Sequence, residues 1–125
     1  MNLTLFPNRF AVCRLDADAS LPSWASFTSF LSITRTPDEL SIVCDGDSVP
    51  EDVQAVRDWR CLEVQGPIPF ETTGVAASLT TPLASAGISV FLVATFDTDY
   101  LLVQNNTLEA AIDALRAAGH VLIHP

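Results

Sequence analysis

The acidic segment Asp97-Thr98-Asp99 holds the residues best suited to chemistry in this chain. Two carboxylates placed two positions apart, in a turn between apolar segments, attract a cation such as an ammonium group or a basic side chain. The same pair can instead hold a hard cation such as Mg²⁺, for which two carboxylates are few ligands. A third interpretation is that Thr95, Asp97 and Thr98 only bond the backbone of their own turn. The residues alone leave all three interpretations open.

The other reactive side chains do not form a recognisable catalytic or metal site. His120 and His124 are four residues apart, and on one face of a strand they would lie about 13 Å from each other, too far for one metal ion. Cys13, Cys44 and Cys61 are widely spaced and form no CxxC pair, which favours reduced thiols in a cytoplasmic protein. The chain has no nucleophile elbow, phosphate loop or dinucleotide fingerprint. We therefore expect no catalytic residue, no metal and no cofactor, and a protein that is not an enzyme.

The net charge and the hydropathy of the chain restrict the kinds of partner it can bind. Six arginines, no lysine and fifteen acidic residues give a formal net charge of −9, which repels nucleic-acid backbones and anionic lipid. No apolar run is long enough for a membrane span, and the N-terminal residues do not resemble a secretory signal. Apolar residues make up 49% of the chain, enough for a core and for a surface covered by a partner subunit. A cytoplasmic protein with no nucleic-acid or membrane partner is expected.

An imperfect internal repeat organises the chain. Residues 29–43 are echoed by residues 90–103, and each copy is predicted to form a strand, an acidic turn and a second strand. The two turns open with Thr34 and Thr95. We therefore predict two similar units, residues 1–60 and 61–125, which are each marginal alone and share a sheet or a core.

The first unit is predicted to be the poorer copy. Strands are expected over residues 3–15, with an interruption at Pro7, and over 27–34 and 39–45, and a short helix over 50–58. The first helix of the pattern is reduced to a loop or a turn. The acidic turn Thr34–Glu39 is a second candidate pocket, with a plain solvated turn as the alternative.

The second unit is predicted to be complete. Strands are expected over residues 61–65, 88–94, 100–104 and 120–124, and helices over 73–86 and from 106 to 119. The order β-α-β-β-α-β is that of ferredoxin-like folds. The nearly continuous apolar run 88–94 predicts a central strand buried on both faces.

Local signals define the two helices of this unit. Thr73 is predicted to cap the first helix, and Pro82 inside it is predicted to produce a kink or a broken turn. Asn106 and Glu109 have the spacing of a capping box at the start of the second helix. Leu108, Ala111, Ile112 and Leu115 follow the spacing of one buried face of that helix.

Four blocks of sequence resemble a known family. These are the Ser-Ile-Thr-Arg-Thr-Pro-Asp-Glu-Leu-Ser-Ile-Val block at 32–43, Asp58-Trp-Arg, the Thr73-Gly-Val helix start, and Ala94-Thr-Phe-Asp-Thr-Asp-Tyr-Leu-Leu-Val103. In this order they resemble the small tandem-ACT proteins related to the CASTOR arginine sensors and to the regulatory regions of aspartate kinases. The resemblance covers nearly the whole chain. It implies an α+β fold of two tandem ACT-like, ferredoxin-like βαββαβ units, the first with a reduced first helix.

The resemblance also implies a ligand site between a helix start and the acidic turn of the second unit. The residues that correspond are Gly74, Val75, Thr95, Phe96 and Asp99. The free N–H groups of a helix start suit a carboxylate, and Asp97 with Asp99 suits an ammonium group, so the combination favours a zwitterion receptor. The chain departs from the family pattern at Ala94, where a hydroxyl-bearing residue is usual.

The function implied is a non-catalytic regulatory module that binds an amino acid or a similar small metabolite. The sensors contain about two copies of this length, so a homodimer would restore the missing half. One alternative is a structural or interaction protein whose ACT pocket is vestigial. The other is a small metal-assisted enzyme that uses Asp97 and Asp99.

Overall fold

The computed structural model of this chain describes residues 1–123 and has a mixed α+β fold, as predicted. The elements are β1 (Asn2–Leu5), β2 (Phe10–Leu15), β3 (Ser32–Arg35), β4 (Leu40–Asp45), β5 (Ala55–Val64), α1 (Val75–Ser85), β6 (Phe91–Ala94), β7 (Asp99–Gln104), α2 (Leu108–Ala117) and β8 (Val121–Ile123). Two short 3₁₀ turns, Gly46–Ser48 and Asn105–Thr107, follow β4 and β7. No helix within these residues is long and apolar enough to cross a bilayer.

The chain divides into two compact units, and the first seven residues belong to the larger one. That unit comprises residues 1–7 and 60–123, and the smaller unit comprises residues 8–59. This differs from the predicted division at residue 60, which placed the N-terminal segment in the first unit. The reason is that β1 pairs with the end of β5, where Leu3 is opposite Val64 and Leu5 is opposite Leu62.

The larger unit has the predicted βαββαβ order, with β1 added. β7 pairs with β6 and β5, and β1 lies between β5 and β8, antiparallel to the first and parallel to the second. α1 and α2 cover one face of this sheet. Their apolar stripes meet the inward-facing strand residues in a core that contains Leu3, Leu5, Leu62, Val64, Leu79, Leu83, Leu101, Val103, Leu108, Ala111 and Leu115.

The strand β6 lies at an edge rather than in the centre of the sheet, so the prediction from its apolar run is wrong. Within residues 1–123 its partner is β7 alone, and Leu92 is 38% exposed. The strand also begins three residues later than predicted. Ile88 is instead buried in the core directly after α1, where its N–H bonds the Leu83 carbonyl. The apolar run 88–94 therefore contributes to two elements. Ile88 packs at the end of α1, and Phe91–Ala94 form the edge strand β6.

The helix ends differ from the predicted caps. The N-cap of α1 is Gly74, in the left-handed region with φ 79°, and no side chain caps the helix. α2 begins at Leu108 without a capping bond from Asn106 or any other side chain. α1 continues through Pro82 to Ser85, so the turn there is not broken. The predicted buried face of α2 is confirmed.

The smaller unit is an antiparallel arrangement of β3, β4, β2 and the first residues of β5. Ser32 is opposite Val43, and Val12 is opposite both Val43 and Val56. Residues 16–31 contain no helix, as the reduced first helix of the prediction requires. The helix predicted over residues 50–58 is not formed, because residues from Ala55 onward make ladder hydrogen bonds with β2. Too few residues remain before Ala55 to nucleate a helix.

Candidate functional site

The turn between β6 and β7 is held by its own threonines. The Thr95 N–H and hydroxyl both donate to the Thr98 carbonyl, at 2.8 Å and 3.0 Å. The Thr98 hydroxyl is buried and donates to the Val64 carbonyl at 2.6 Å. The interpretation that these side chains bond the backbone of their own turn is therefore correct for Thr95, whereas the Thr98 hydroxyl bonds β5 instead. The turn is rigidly attached to β5 and presents its remaining side chains outward.

The carboxylates of Asp97 and Asp99 form no hydrogen bond within this turn. Asp97 is exposed and Asp99 is half-buried. Within residues 1–123, neither carboxylate receives a hydrogen bond or forms an ion pair. Two uncompensated negative charges therefore lie side by side at the end of the sheet, where they favour a positively charged group.

The segment before α1 supports the turn from the other side. The Ile68 N–H donates to the Asp97 carbonyl at 2.7 Å. Gly66 lies so close that a Cβ atom there would be 2.9 Å from the same carbonyl oxygen and 3.1 Å from the Thr98 Cβ. Only glycine permits this approach. This role was not predicted from the sequence, where the Gly66-Pro67 pair was the one available signal.

The N-terminus of α1 supplies hydrogen-bond donors. The first bond that closes a full helical turn runs from the Ser78 N–H to the Gly74 carbonyl at 2.9 Å. The N–H groups of Val75, Ala76 and Ala77 precede it and have no acceptor within the helix. The first turn contains no acidic residue that would occupy them. These amides and the positive end of the helix dipole suit a carboxylate.

A cavity of about 180 Å³ separates the helix start from the acidic turn. Five of the six residues predicted for the site line it: Val75, Thr95, Phe96, Asp97 and Asp99. The sixth, Gly74, is the N-cap residue directly before Val75. The charged side chains of the lining are both carboxylates, so the cavity has a negative potential at the turn.

Two aromatic side chains extend this cavity. Phe70 and Phe96 are 71% and 77% exposed, and their rings meet edge to face with centroids 4.6 Å apart. Phe96 was predicted from the resemblance, whereas Phe70 was not. The position of Phe70 depends on residues 66–70, and only the tertiary structure shows that this segment lies next to the β6–β7 turn.

Tyr100 connects the turn to β5. Its hydroxyl donates to Glu63 at 2.8 Å. Burial, the hydrogen bond to Glu63 and the negative charges of Glu63 and Asp97 together raise the pKa of Tyr100 from 10.0 to about 12. The residue therefore stays a neutral donor at physiological pH.

The other candidates from the sequence lie elsewhere. His120 is buried and bonded within the larger unit, and His124 lies outside the described residues. In the part of the chain that the structure describes, no group of three or more His, Cys, Asp or Glu side chains could hold a metal ion. In the Thr34–Glu39 turn, the Thr36 hydroxyl accepts from the Asp38 and Glu39 N–H groups, the arrangement of a plain turn.

Comparison with known proteins agrees with this architecture. The family model described as the ACT domain matches residues 54–117. The chain belongs to the ACT domain family. A second family model, for an N-terminal domain, matches residues 8–52, close to the smaller unit. The resemblance found in the sequence is therefore confirmed at the level of the family.

Among curated proteins, the chain is similar to the cytosolic arginine sensor for mTORC1 subunit 1 of Homo sapiens. The two are 29% identical over 109 residues, which cover 81% of this chain and 33% of the sensor. The putative protein CASTOR3P of Homo sapiens is 33% identical over 106 residues, covering 74% of this chain and 65% of that protein. The chain thus spans about a third of the length of the sensor.

Solved structures show the same fold. A protein from Agobacterium tumefaciens is 44% identical with a TM-score of 0.94, over 99% of this chain and 92% of that one. The regulatory subunit of aspartate kinase from Thermus thermophilus has a TM-score of 0.61 at 12% identity, over 94% of this chain and 96% of that one. At 12% identity, the similarity to the aspartate kinase subunit shows a shared fold only.

Proposed function

We propose that this chain is a non-catalytic regulatory module that binds an amino acid or a similar small metabolite in the cavity between α1 and the β6–β7 turn. The carrying observation is that one cavity is lined both by Val75, the first residue of α1, and by Asp97 and Asp99, whose carboxylates have no hydrogen-bond or ion-pair partner within residues 1–123. An α-carboxylate binds at the first site and an α-ammonium or basic side chain at the second. This is the arrangement that a zwitterion requires.

The relatives support an amino-acid ligand. The similar human protein is named as an arginine sensor and as cytosolic, which also supports a cytoplasmic location for this chain. The negative lining suits a basic amino acid, so arginine is the first compound to test. Ala94 lacks the hydroxyl group that is usual at this position in the family. The ligand can therefore differ from arginine, and the test includes the other amino acids.

We propose a homodimer as the working form. The cavity of about 180 Å³ opens to solvent, and Phe70 and Phe96 stand exposed beside it. A second copy placed over these rings would close the site and bury apolar surface. Ligand binding would then stabilise one association geometry, through which the bound state is transmitted.

The experiment is a thermal-shift screen of the twenty amino acids at millimolar concentration, followed by titration calorimetry of any compound that responds. A ligand present at a hundred times its Kd stabilises the folded state by about 2.7 kcal/mol, which raises the Tm by roughly 10 °C for a chain of this size. Asp99→Asn should reduce the response, and Asp113→Asn, an exposed acidic residue of α2, is the matched control.

Two results would count against the proposal. If none of the twenty amino acids raises the Tm, the pocket is vestigial and the chain acts through its surfaces. If a ligand binds but Asp99→Asn and Asp97→Asn both retain the full response, the site lies elsewhere. Light scattering with and without ligand tests the dimer separately.

A further inference from the structure

The smaller unit contains a cavity of its own, at the end of β4 that lies farthest from the Thr34–Glu39 turn. Its volume is about 410 Å³, larger than the cavity beside α1 and within the range of small-molecule sites, about 300–1,000 Å³. It is lined by Asn8, Arg9, Ser26, Thr28, Asp45, Asp47 and Ser48. Every one of these side chains is polar or charged.

A buried carboxylate forms the fixed part of this cavity. Asp45 is 9% exposed. One of its oxygens accepts a hydrogen bond from the Asn8 amide at 3.2 Å, and the other accepts from the Thr28 hydroxyl. Its backbone carbonyl accepts from the Ser48 hydroxyl at 2.8 Å. Two separate chain segments, at Asn8 and Thr28, therefore hold the carboxylate of this lining residue, and Ser48 holds its backbone.

The wall opposite β4 is also held in place, although it has no regular secondary structure. Ser29 donates to the Asn8 side chain at 3.3 Å, and the rings of Phe30 and Phe10 meet edge to face with centroids 6.0 Å apart. The cavity is therefore built from bonded segments and is not a gap between loose loops.

The rim carries charges of both signs. Asp47 is exposed and adds a second carboxylate near Asp45. Arg9 is the cation of the lining, and it is paired with Asp58 at 3.3 Å, where both side chains are more than half exposed. Such an exposed pair contributes little free energy, so the guanidinium can turn to an incoming anion.

We propose that this cavity is a second ligand site, which takes a small zwitterion with an ammonium group at Asp45 and Asp47 and a carboxylate at Arg9. A buried carboxylate held by neutral donors is costly to maintain and gains most from a cationic ligand. The arginine on the opposite rim selects ligands that also carry a negative group. The site lies wholly within the smaller unit and does not depend on the function proposed for the larger one.

The test is a series of ω-amino acids titrated into ¹⁵N-labelled full-length protein: glycine, β-alanine and γ-aminobutyrate. The amides of Gly46, Asp47 and Ser48 report this cavity, and those of Val75 and Thr95 report the other. We expect one member of the series to shift the first set in a saturable way. Ethylammonium and acetate, which each carry one charge, should bind about tenfold more weakly.

Two exposed variants then test the residues. Arg9→Gln and Asp47→Asn should each weaken binding about fivefold, whereas Asp52→Asn, an exposed acid outside the lining, should have no effect. Three results would overturn the proposal: no saturable shift at Gly46–Ser48, ethylammonium binding as tightly as the zwitterion, or full binding in both variants. Shifts at Gly46–Ser48 without any at Val75 and Thr95 would show that this site binds its ligand independently of the cavity beside α1.

Discussion

The Nε2–H group of His120 donates a hydrogen bond of 2.8 Å to the Ser78 carbonyl. That carbonyl would ordinarily accept from the residue four positions later, but this is Pro82, which has no N–H. A carbonyl oxygen can only accept, so Nε2 carries the proton and Nδ1 is the acceptor that faces the Met1 nitrogen at 3.1 Å. His120, which follows α2, thus replaces the backbone hydrogen bond that Pro82 removes from α1.

A double-mutant cycle tests this relationship. His120→Phe leaves the Ser78 carbonyl without its partner and should lower the free energy of unfolding by about 1–3 kcal/mol. In a Pro82→Ala background the new N–H can bond the same carbonyl, so the His120→Phe effect should shrink by about 1 kcal/mol. Urea unfolding of the four proteins measures the coupling. Strictly additive effects would show that the two residues act independently.

The close approach of Gly66 to the β6–β7 turn predicts a second effect. A Cβ atom at residue 66 would meet the Asp97 carbonyl oxygen at 2.9 Å, so Gly66→Ala must displace backbone in the turn. We expect a lower Tm and a weaker response to any amino acid that binds beside α1. Gly46→Ala is the matched control, because its Cβ would have no neighbour closer than 3.5 Å. An unchanged ligand response in Gly66→Ala would show that the position of the turn does not govern binding.

The three cysteines should be unreactive in the folded protein. Cys13, Cys44 and Cys61 are all free and buried. Burial raises the pKa of Cys61 to about 12, and the hydrogen bond between Cys13 and Cys44 raises the pKa of Cys13 and lowers that of Cys44, so burial is what shields all three thiols from reagents. A chromogenic disulfide reagent at pH 8 should label almost no thiol in buffer and all three in denaturant. Rapid labelling of one cysteine without denaturant would contradict this burial.

Alkaline pH should destabilise the larger unit. The pKa of Cys61 rises from 9.0 to about 12 on folding, and that of Tyr100 rises from 10.0 to about 12. The folded state therefore holds both protons more tightly than the unfolded state. This stabilisation is complete below about pH 9 and is lost as the pH rises toward 12.

Tyr100→Phe isolates one of these two groups. At pH 7 the variant should be less stable by about 1 kcal/mol, because it lacks the bond to Glu63. Between pH 10 and 12 its stability should fall less steeply than that of the unmodified protein. Chemical unfolding at a series of pH values measures both effects. If the free energies of unfolding of the two proteins fall in parallel between pH 10 and 12, other groups cause the loss of stability at alkaline pH.

The predictions that succeeded rest on short-range patterns. The spacing of Leu108, Ala111 and Leu115 defines a buried helix face, and Gly119 closes that helix, because each signal acts within one or two turns. The same holds for the turn that contains Asp97 and Asp99. These local elements were enough to predict the βαββαβ order. Five of the six residues predicted for the site line one cavity, and their role in ligand binding stays a prediction.

Apart from the helix caps predicted at Thr73 and Asn106, the predictions that failed concern pairing between distant segments. The apolar run 88–94 has the composition of a central strand, but strand order in the sheet places β6 at an edge. Residues 50–58 begin with Pro50 and two acidic residues, a start suited to a helix, but β2 offers the residues from Ala55 onward a ladder partner. Local propensity is weak compared with such tertiary interactions, so it cannot decide these cases.

The sequence by itself determined the family, the order of strands and helices in the larger unit, and the acidic turn with its helix start. These depend on residue types and spacings that act locally along the chain. Only the tertiary structure decided that β1 lies between β5 and β8, that Gly66 supports Asp97, and that the smaller unit encloses a polar cavity around Asp45. Each of these joins residues about thirty or more positions apart, and such contacts are selected by the packing of the whole core and leave no periodic trace in the sequence.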